Sequence, residues 1–307
     1  MFVFLSRNAA WVIALGVFTG LVFPGISAEL RPLLPFAVAG LLVVSVMQTN
    51  FTEFRRQLLR PRVPAIIIFA LLFLSPALVW LLVNLLALPD GLKPPLILMA
   101  AAPPIMSAPA MALMLKLNVP RMLAIVVGAT LLAPFTLGFT AEWFVGAELR
   151  INPLHLATRL AAFIGVCFAV AAVLRLSLGA ARINENRRYL DVLGLLLLLG
   201  FALAIMDGVA QRLSLETEYV LAVIAISFVA NVFLQIAGGA AFFSTGAHSA
   251  LTVAFACGNR NMGLLLAVLP ETSAPDTLLY FAVAQIPMYT LPALLSPMYN
   301  AMLQRAS

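Results

Sequence analysis

Charged residues are scarce in this chain of 307 residues: they make up 10% of it, whereas 63% of it is hydrophobic. A water-soluble domain uses about 25% charged residues to cover its surface. Most of the outer surface must therefore face lipid. A bilayer core about 30 Å thick needs about 20 apolar residues per helix, so the chain has room for about ten spans and short loops. This arithmetic excludes a sensor kinase or a large catalytic module.

Cysteine and histidine are almost absent, with two residues of each type. Cys167 and Cys257 both lie in apolar segments, without the spacing of a metal site or of a disulfide framework. We find no paired carboxylates and no nucleophile–base pair, so we expect no enzyme and no resident cofactor. The net charge of +6 sits mainly in short loops, which indicates membrane topology rather than a nucleic-acid partner.

Apolar segments separated by turn residues predict ten membrane spans, and Pro24-Gly25 and Asn152-Pro153 are two of the breaks. The first segment could also be a signal peptide. Gly16 and Gly20, four residues apart, are typical of a packing face and favour a helix. The predicted spans are residues 9–26, 32–49, 64–87, 95–115, 121–143, 154–175, 190–207, 218–242, 249–269 and 277–302.

The basic residues predict the orientation of the chain. Between alternate spans, most Lys and Arg residues fall on the side that holds both termini, which predicts a plasma (inner) membrane protein with cytoplasmic termini. Spans 4 and 9 are least like ordinary membrane helices, and they lie five positions apart in the order of the spans. Because five is odd, a second five-helix unit must enter the membrane inverted, as in secondary transporters. We therefore predict two inverted repeats, residues 1–150 and 151–307, forming one transport unit in the bilayer.

Span 4 contains three prolines within seven residues: Pro103, Pro104 and Pro109. Proline removes an amide donor and clashes with the preceding turn. Unpaired backbone is tolerated at membrane depth only where it is buried in protein or lines a wet cavity. Span 4 is therefore predicted to be a broken helix rather than a kinked one, with Ser107 beside the break as a candidate substrate ligand.

Span 9 contains a polar cluster at mid-depth, Asn259-Arg260-Asn261, between Gly258 and Gly263. An arginine at that depth costs about 3 kcal/mol or more, so it is retained for structure or for function. One interpretation is that Arg260 binds substrate with its asparagine neighbours. The other is that it caps exposed carbonyls of the broken helix, and the two roles are compatible.

No carboxylate is predicted at mid-depth to neutralise Arg260, since Glu142, Asp207 and Glu271 fall near span ends. Helix amino ends carry positive partial charge, so a site beside the breaks suits an anion better than a cation. Gln285 and Tyr289 in the last span are further candidates for contact with a small organic anion.

These features resemble the bile acid:sodium symporter family over nearly the whole chain. Residues 51–61 resemble the basic loop of the family, residues 103–109 align with its Pro-Gly-Gly-Thr-Ala-Ser-Asn segment, and residues 256–264 align with Glu-Val-Gly-Met-Gln-Asn-x-Gly-Leu. The resemblance implies an all-α protein of ten transmembrane helices, with a core domain in which spans 4 and 9 cross, a panel domain, and transport of organic anions by alternating access.

The sodium ligands implied by the family are largely replaced here. Its glutamate falls at Ala256 and its glutamine at Arg260, while a serine of span 4 falls at Ala108. Thr130 remains as a ligand position, and a glutamine of span 3 falls near Leu71. We therefore expect that Arg260 stands in for a bound cation and that transport does not use sodium.

Two alternatives stay open at this point, and a third, an arsenite efflux pump, is disfavoured. An arsenite efflux pump relies on a cysteine in span 4, and residues 100–116 contain none. A receptor that binds without transporting is compatible with the loss of the sodium ligands. A sodium- or proton-coupled carrier with other ligands is also compatible with the sequence.

Overall fold

The computed structural model describes residues 9–49, 51–59, 61–86, 88–146, 152–269 and 274–306, and across these ranges the chain is helical without a β-strand. Seven helices in them are long and apolar enough to cross a membrane. This confirms a polytopic helical membrane protein. The seven are Pro24–Met47, Arg62–Leu85, Val119–Val145, Pro153–Glu185, Arg187–Leu215, Thr217–Ala241 and Pro275–Arg305.

The individual helices are shorter than these spans because turns of 3₁₀ or π geometry interrupt several of them. The helices are α1 (Ala9–Val22), α2 (Pro24–Leu30), α3 (Leu34–Met47), α4 (Phe51–Leu58), α5 (Arg62–Phe69), α6 (Ser75–Leu85), α7 (Lys93–Ala101), α8 (Ala108–Met114), α9 (Val119–Thr140), α10 (Pro153–Glu185), α11 (Arg187–Ala204), α12 (Val209–Leu215), α13 (Thr217–Ala241), α14 (Ala247–Gly258), α15 (Met262–Val268), α16 (Pro275–Val283) and α17 (Gln285–Ala306).

The seven long helices correspond to predicted spans 2, 3, 5, 6, 7, 8 and 10. The break predicted at Pro24-Gly25 is confirmed, but the predicted end of span 1 is not. Span 1 was expected to continue to residue 26, but α1 ends at Val22 and a new helix begins at Pro24. Phe23 leaves helical geometry (φ −119°, ψ 72°), and proline is favourable at the start of a helix because its missing amide has no partner there.

The basic segment after span 6 was expected to be a loop but is mostly helical. Helix α10 continues to Glu185, interrupted at Gly179, whose φ of 77° lies in the region that favours glycine. Arginine is a good helix former, so a basic composition alone does not end a helix.

Spans 4 and 9 are broken, as the sequence predicted. Helix α7 ends at Ala101 and α8 begins at Ala108, whereas α14 ends at Gly258 and α15 begins at Met262. Ala102 is extended (ψ 146°) just before Pro103 and Pro104. Pro109 and Gly263, expected in the breaks, lie instead in the first turns of α8 and α15.

We describe the helices as two groups, which also contact each other directly, since α9 packs against α10 and α17 packs against α1. Helix α3 packs against α10 and α11, and α11 packs against α1, which forms one group. The broken helices belong to the other group, in which α7 contacts α6, α9 and α16, and α14 contacts α13 and α17. Helix α15 contacts α3 and α10, so the end of one broken helix lies at the boundary between the groups.

Candidate functional site

The two broken helices cross at their breaks and pair through the backbone. Ile105 N donates a hydrogen bond to Asn259 O (2.9 Å), and Asn261 N donates to Pro103 O (2.7 Å). Pro104 and Arg260 thus face each other in an antiparallel bridge. The backbone groups at each break have lost hydrogen-bond partners within their own helix, and the other break supplies new ones. Backbone groups that are buried away from water need such partners.

Arg260 is fully buried at this crossing, with 0% of its surface exposed. Its guanidinium donates through Nε to Cys257 O (2.7 Å) and through Nη1 to Ala102 O (3.0 Å). It also donates through Nη1 to Leu71 O (3.2 Å) and through Nη2 to Ser75 Oγ (2.8 Å).

These acceptors are freed by local helix geometry. Ala102 O and Cys257 O lie at the carboxyl ends of α7 and α14, where carbonyls lack helical partners. Leu71 belongs to a π turn, Ala70–Leu74, and Ser75 is the first residue of α6. All four acceptors are neutral, and no carboxylate of the described residues is ion-paired with Arg260. The structure thus shows the capping contacts, with the positive charge uncompensated by an anion.

The positions that the sequence resemblance matches to sodium ligands lie in the protein interior. Ala108, Ala256 and Thr130 are fully buried, and Thr130 Oγ1 donates to Met106 Sδ (3.6 Å). Within the described part of the chain there is no group of three or more His, Cys, Asp or Glu residues that could hold a metal. Leu71, which replaces a glutamine of the family pattern, contacts Arg260 through its carbonyl.

A chain of buried hydrogen bonds fixes the end of α14. Tyr299 OH donates to Gln235 Oε1 (2.7 Å), Gln235 Nε2 donates to Asn231 Oδ1 (2.7 Å), and Asn231 Nδ2 donates to Gly258 O (2.8 Å). A Cβ at Gly258 would lie 2.4 Å from Gln235 Cγ. The glycine is therefore required by close packing, and the network connects α17, α13 and α14.

An inner cavity of about 70 Å³ lies beside the crossing. Four of the predicted substrate ligands line it: Ser107, Asn261, Gln285 and Tyr289. Asn259 and Arg260 are not among its lining residues, and Asn259 Nδ2 instead donates to Phe255 O (2.9 Å). The remaining lining residues are Val38, Leu41, Leu42, Ser45, Ile105, Met106, Leu198, Phe201, Gly263, Leu264 and Met288.

The polar groups of the inner cavity differ in what they can bind. Asn261 Oδ1 accepts from Leu264 N (3.1 Å), which leaves its amide nitrogen as a donor. The Ser107 side chain makes no capping bond to α8. Gln285 is 1% exposed and its Nε2 donates to Phe281 O (3.1 Å), whereas its Oε1 has no hydrogen-bond partner among the described residues.

An outer cavity of about 440 Å³ carries the charged residues. Arg31 Nη1 lies 3.1 Å from Asp207 Oδ2 on its wall. Arg212 Nη1 lies 2.8 Å from Asp276 Oδ1, and Arg212 Nη2 lies 2.7 Å from Glu216 Oε2. The pair formed by Arg212 and Asp276 joins α12 to α16, whereas the pair formed by Arg31 and Asp207 joins the start of α3 to the end of α11.

The two cavities follow one another along α3 and α15. Helix α3 contributes Leu34 to the outer cavity and Val38 to the inner one. Helix α15 contributes Leu266 and Gly263 in the same order. Phe201 of α11 lies against Gly263, where an added Cβ would be 3.1 Å from the Phe201 ring. The outer cavity, with its ion pairs, and the inner cavity beside the crossing are thus arranged along the same pair of helices.

Sequence reasoning missed Ser75, Phe201 and the pairing of Tyr299 with Gln235. A serine or an aromatic residue in an apolar span carries no local signal of its partner, because the contact depends on which helices meet. Comparison with known proteins finds no matching family model and no matching curated protein.

Proposed function

We propose that this chain is a secondary transporter that moves a small organic anion by alternating access and does not use sodium. In this proposal the fold is that of the bile acid:sodium symporter family, with ten spans in two inverted five-helix repeats, residues 1–150 and 151–307. The observation that carries the proposal is the crossing of two broken helices, held by a buried guanidinium, beside a small cavity lined by several polar side chains.

The broken helices support a transport role because exposed helix ends at membrane depth are the usual means by which carriers bind their cargo. The carbonyl ends of α7 and α14 are both bonded to Arg260. The amino ends of α8 and α15 begin at Ser107 and Asn261, which line the cavity. Positive partial charge on the cavity side favours an anion.

Arg260 supports independence from sodium. Sodium binds in cages of backbone and side-chain oxygens, and the Arg260 guanidinium is surrounded by three carbonyl oxygens and one hydroxyl. A permanent positive charge in that cage repels a second cation. The same uncompensated charge attracts an anion towards the crossing.

The succession of two cavities along α3 and α15 supports alternating access. Both cavities are lined by α3 of one group and by α15, which is half of a broken helix. Sliding of one group against the other would close the space around Phe201. With cytoplasmic termini in the plasma membrane, the outer cavity would open to the external side.

Uptake by the purified protein in liposomes tests this proposal. Anions of two to six carbons are first screened by thermal shift, and those that stabilise the protein are then assayed for uptake with sodium or with choline outside. We expect equal uptake in both buffers. Arg260→Gln should abolish uptake, whereas Arg159→Gln, which alters an exposed arginine of α10, should retain it.

Two outcomes would contradict the proposal. Uptake that collapses in choline would show that sodium is coupled through other ligands. Tight anion binding without uptake, in liposomes that hold correctly inserted protein, would instead support the receptor alternative.

A further inference from the structure

We propose that the helical segment between spans 6 and 7, residues 175–189, binds the headgroups of anionic phospholipids at the membrane surface. We call this segment the basic connector. The observation that points to it is a pair of exposed arginines without partners beside large exposed apolar side chains, on a backbone that is packed against the protein. The inference goes beyond the proposed transport function and does not depend on it.

The basic connector lies at one end of the helix bundle. Helix α10 rises about 1.5 Å per residue, so the stretch from Pro153 to Arg175 spans about 33 Å, close to the thickness of a hydrocarbon core. The chain turns back with α11, which begins at Arg187. Near the start of α11, Gln48 Nε2 donates to Asp191 Oδ1 (2.8 Å). The connector is therefore at headgroup level, at the end of α3 and α11 that is opposite the outer cavity.

The connector is held in a defined position. Its chain turns at Gly179, whose φ of 77° allows the helix to change direction. Arg175 Nη1 donates to Met47 O at the end of α3. Ile183 is 4% exposed and belongs to the hydrophobic core. The exposed groups of the connector are thus presented by a backbone that is anchored on both sides of the turn.

Arg182 and Arg187 carry positive charges that no described residue neutralises. Both are exposed, and neither guanidinium has an ion pair or a hydrogen bond among the described residues. At the opposite end of the bundle, Arg31, Lys93 and Arg212 each pair with a carboxylate. Since a guanidinium binds a phosphate through two parallel hydrogen bonds, lipid headgroups supply the anions that the connector lacks.

Large apolar side chains on the connector favour a lipid as the partner. Leu176 is 85% exposed and Tyr189 is 70% exposed. The segment contains four arginines and a single carboxylate, that of Glu185. A basic segment with exposed apolar groups binds an anionic membrane through both, because the apolar groups enter the acyl boundary while the cations contact headgroups. A free phosphate ion would satisfy the arginines but would leave Leu176 and Tyr189 in water.

Retention of lipid by the purified protein is the direct test. The protein is incubated in detergent micelles with equal amounts of dioleoylphosphatidylglycerol and dioleoylphosphatidylcholine, which differ in headgroup charge but not in acyl chains. Lipid that remains bound after size-exclusion chromatography is quantified by mass spectrometry. We expect phosphatidylglycerol to be retained at least about five-fold over phosphatidylcholine, which is the factor that one arginine contributes near an anionic surface.

Two double variants remove the same charge at different places. Arg182→Gln with Arg187→Gln should bring the ratio of the two lipids close to one. Arg62→Gln with Arg121→Gln removes two arginines that lie on the same predicted side of the membrane but outside the connector, so it should keep the wild-type ratio. The unfolding temperature of each variant shows that it is folded.

Three outcomes would overturn the inference. Wild-type protein that retains both lipids equally does so without the need for any variant. An equal fall of the ratio in the two double variants would show a response to total charge rather than a site on the connector. Release of phosphatidylglycerol by an excess of inorganic phosphate would show an anion site that does not need a membrane. None of these results bears on anion uptake, which tests the proposed function separately.

Discussion

At the scale of single residues, Arg260 shows how a charge is held inside an apolar protein without a counter-ion. Its donors extend in several directions and reach oxygens on α6, α7, α14 and the π turn before α6. A guanidinium suits this task because its planar fork presents five N–H donors at fixed angles. The residue therefore connects α6, α7 and α14.

Arg260→Lys tests whether geometry or charge alone is required. An ammonium is a point donor and cannot reach oxygens on opposite sides of the crossing, so at least two charged hydrogen bonds should be lost. At about 1.5–3 kcal/mol for each such bond, we expect a loss of about 3 kcal/mol or more in the free energy of unfolding. The measurement is thermal unfolding in detergent.

The matched control is Arg159→Lys, which makes the same chemical change at an exposed position of α10. It should leave the unfolding temperature unchanged. An Arg260→Lys protein as stable as the control would mean that the charge, rather than the fork of donors, holds the crossing together.

At the scale of elements, each broken helix is stabilised by a partner that is distant in sequence. The break at residues 102–107 bonds to the break at residues 259–261, and the end of α14 is held by α13 and α17 through Asn231, Gln235 and Tyr299. Neither half-helix is long enough to be stable alone, since short helices form only with tertiary support. The crossing and the buried network should therefore unfold together.

Gly258→Ala tests the packing of that network. The added methyl group would lie 2.4 Å from Gln235 Cγ and 2.8 Å from Asn231 Oδ1, so both side chains must move. Overpacking of this kind costs about 1–3 kcal/mol, and here it also weakens the bonds to Gly258 O. We expect a lower unfolding temperature and slower uptake.

Gly165→Ala is the matched control, because a Cβ at Gly165 in α10 meets nothing within 4 Å. Alanine favours helix over glycine by about 1 kcal/mol, so this variant should be as stable as the wild type or more stable. Equal effects of the two substitutions would contradict the close approach at Gly258.

At the scale of the whole molecule, the ion pairs of the outer cavity differ in what they connect. Arg212 and Asp276 join α12 to α16, and α16 packs on α7, half of a broken helix. Arg31 and Asp207 join segments that belong to the group of α3 and α11. Helix α12 follows α11 in the chain and contacts α1, α13 and α16, so the first pair lies where the two groups meet. If the groups move against each other during transport, we expect this pair to separate and the pair formed by Arg31 and Asp207 to stay together.

Crosslinking tests this difference between the pairs. In a background with Cys167→Ala and Cys257→Ala, Arg212→Cys with Asp276→Cys is joined by a short bifunctional thiol reagent. We expect uptake to stop on crosslinking, because the groups can no longer separate. Cleavage of the linker should restore uptake.

The control pair is Arg31→Cys with Asp207→Cys, treated with the same reagent. This link lies within one group and should leave most of the uptake intact. Uptake that continues with residues 212 and 276 crosslinked would contradict relative movement of the two groups.

Composition and local pattern were sufficient for the membrane class, for most span positions and for both breaks. Apolar length and proline placement act within a few residues of the chain, so they are readable without tertiary contacts. The end of span 1 at residue 26 and the loop at residues 175–185 were predicted wrongly, because proline at a helix start and arginine within a helix are both favourable.

The candidate site was likewise predictable from the sequence only in part. Residue type alone marked Arg260 as exceptional and selected Ser107, Asn261, Gln285 and Tyr289, which the structure gathers around one cavity. Only the tertiary structure decided that Arg260 bonds to Leu71, Ser75 and Ala102 and lies outside the lining of that cavity. Hydrogen-bond partners far apart in sequence are chosen by how helices pack, and no local pattern encodes that choice.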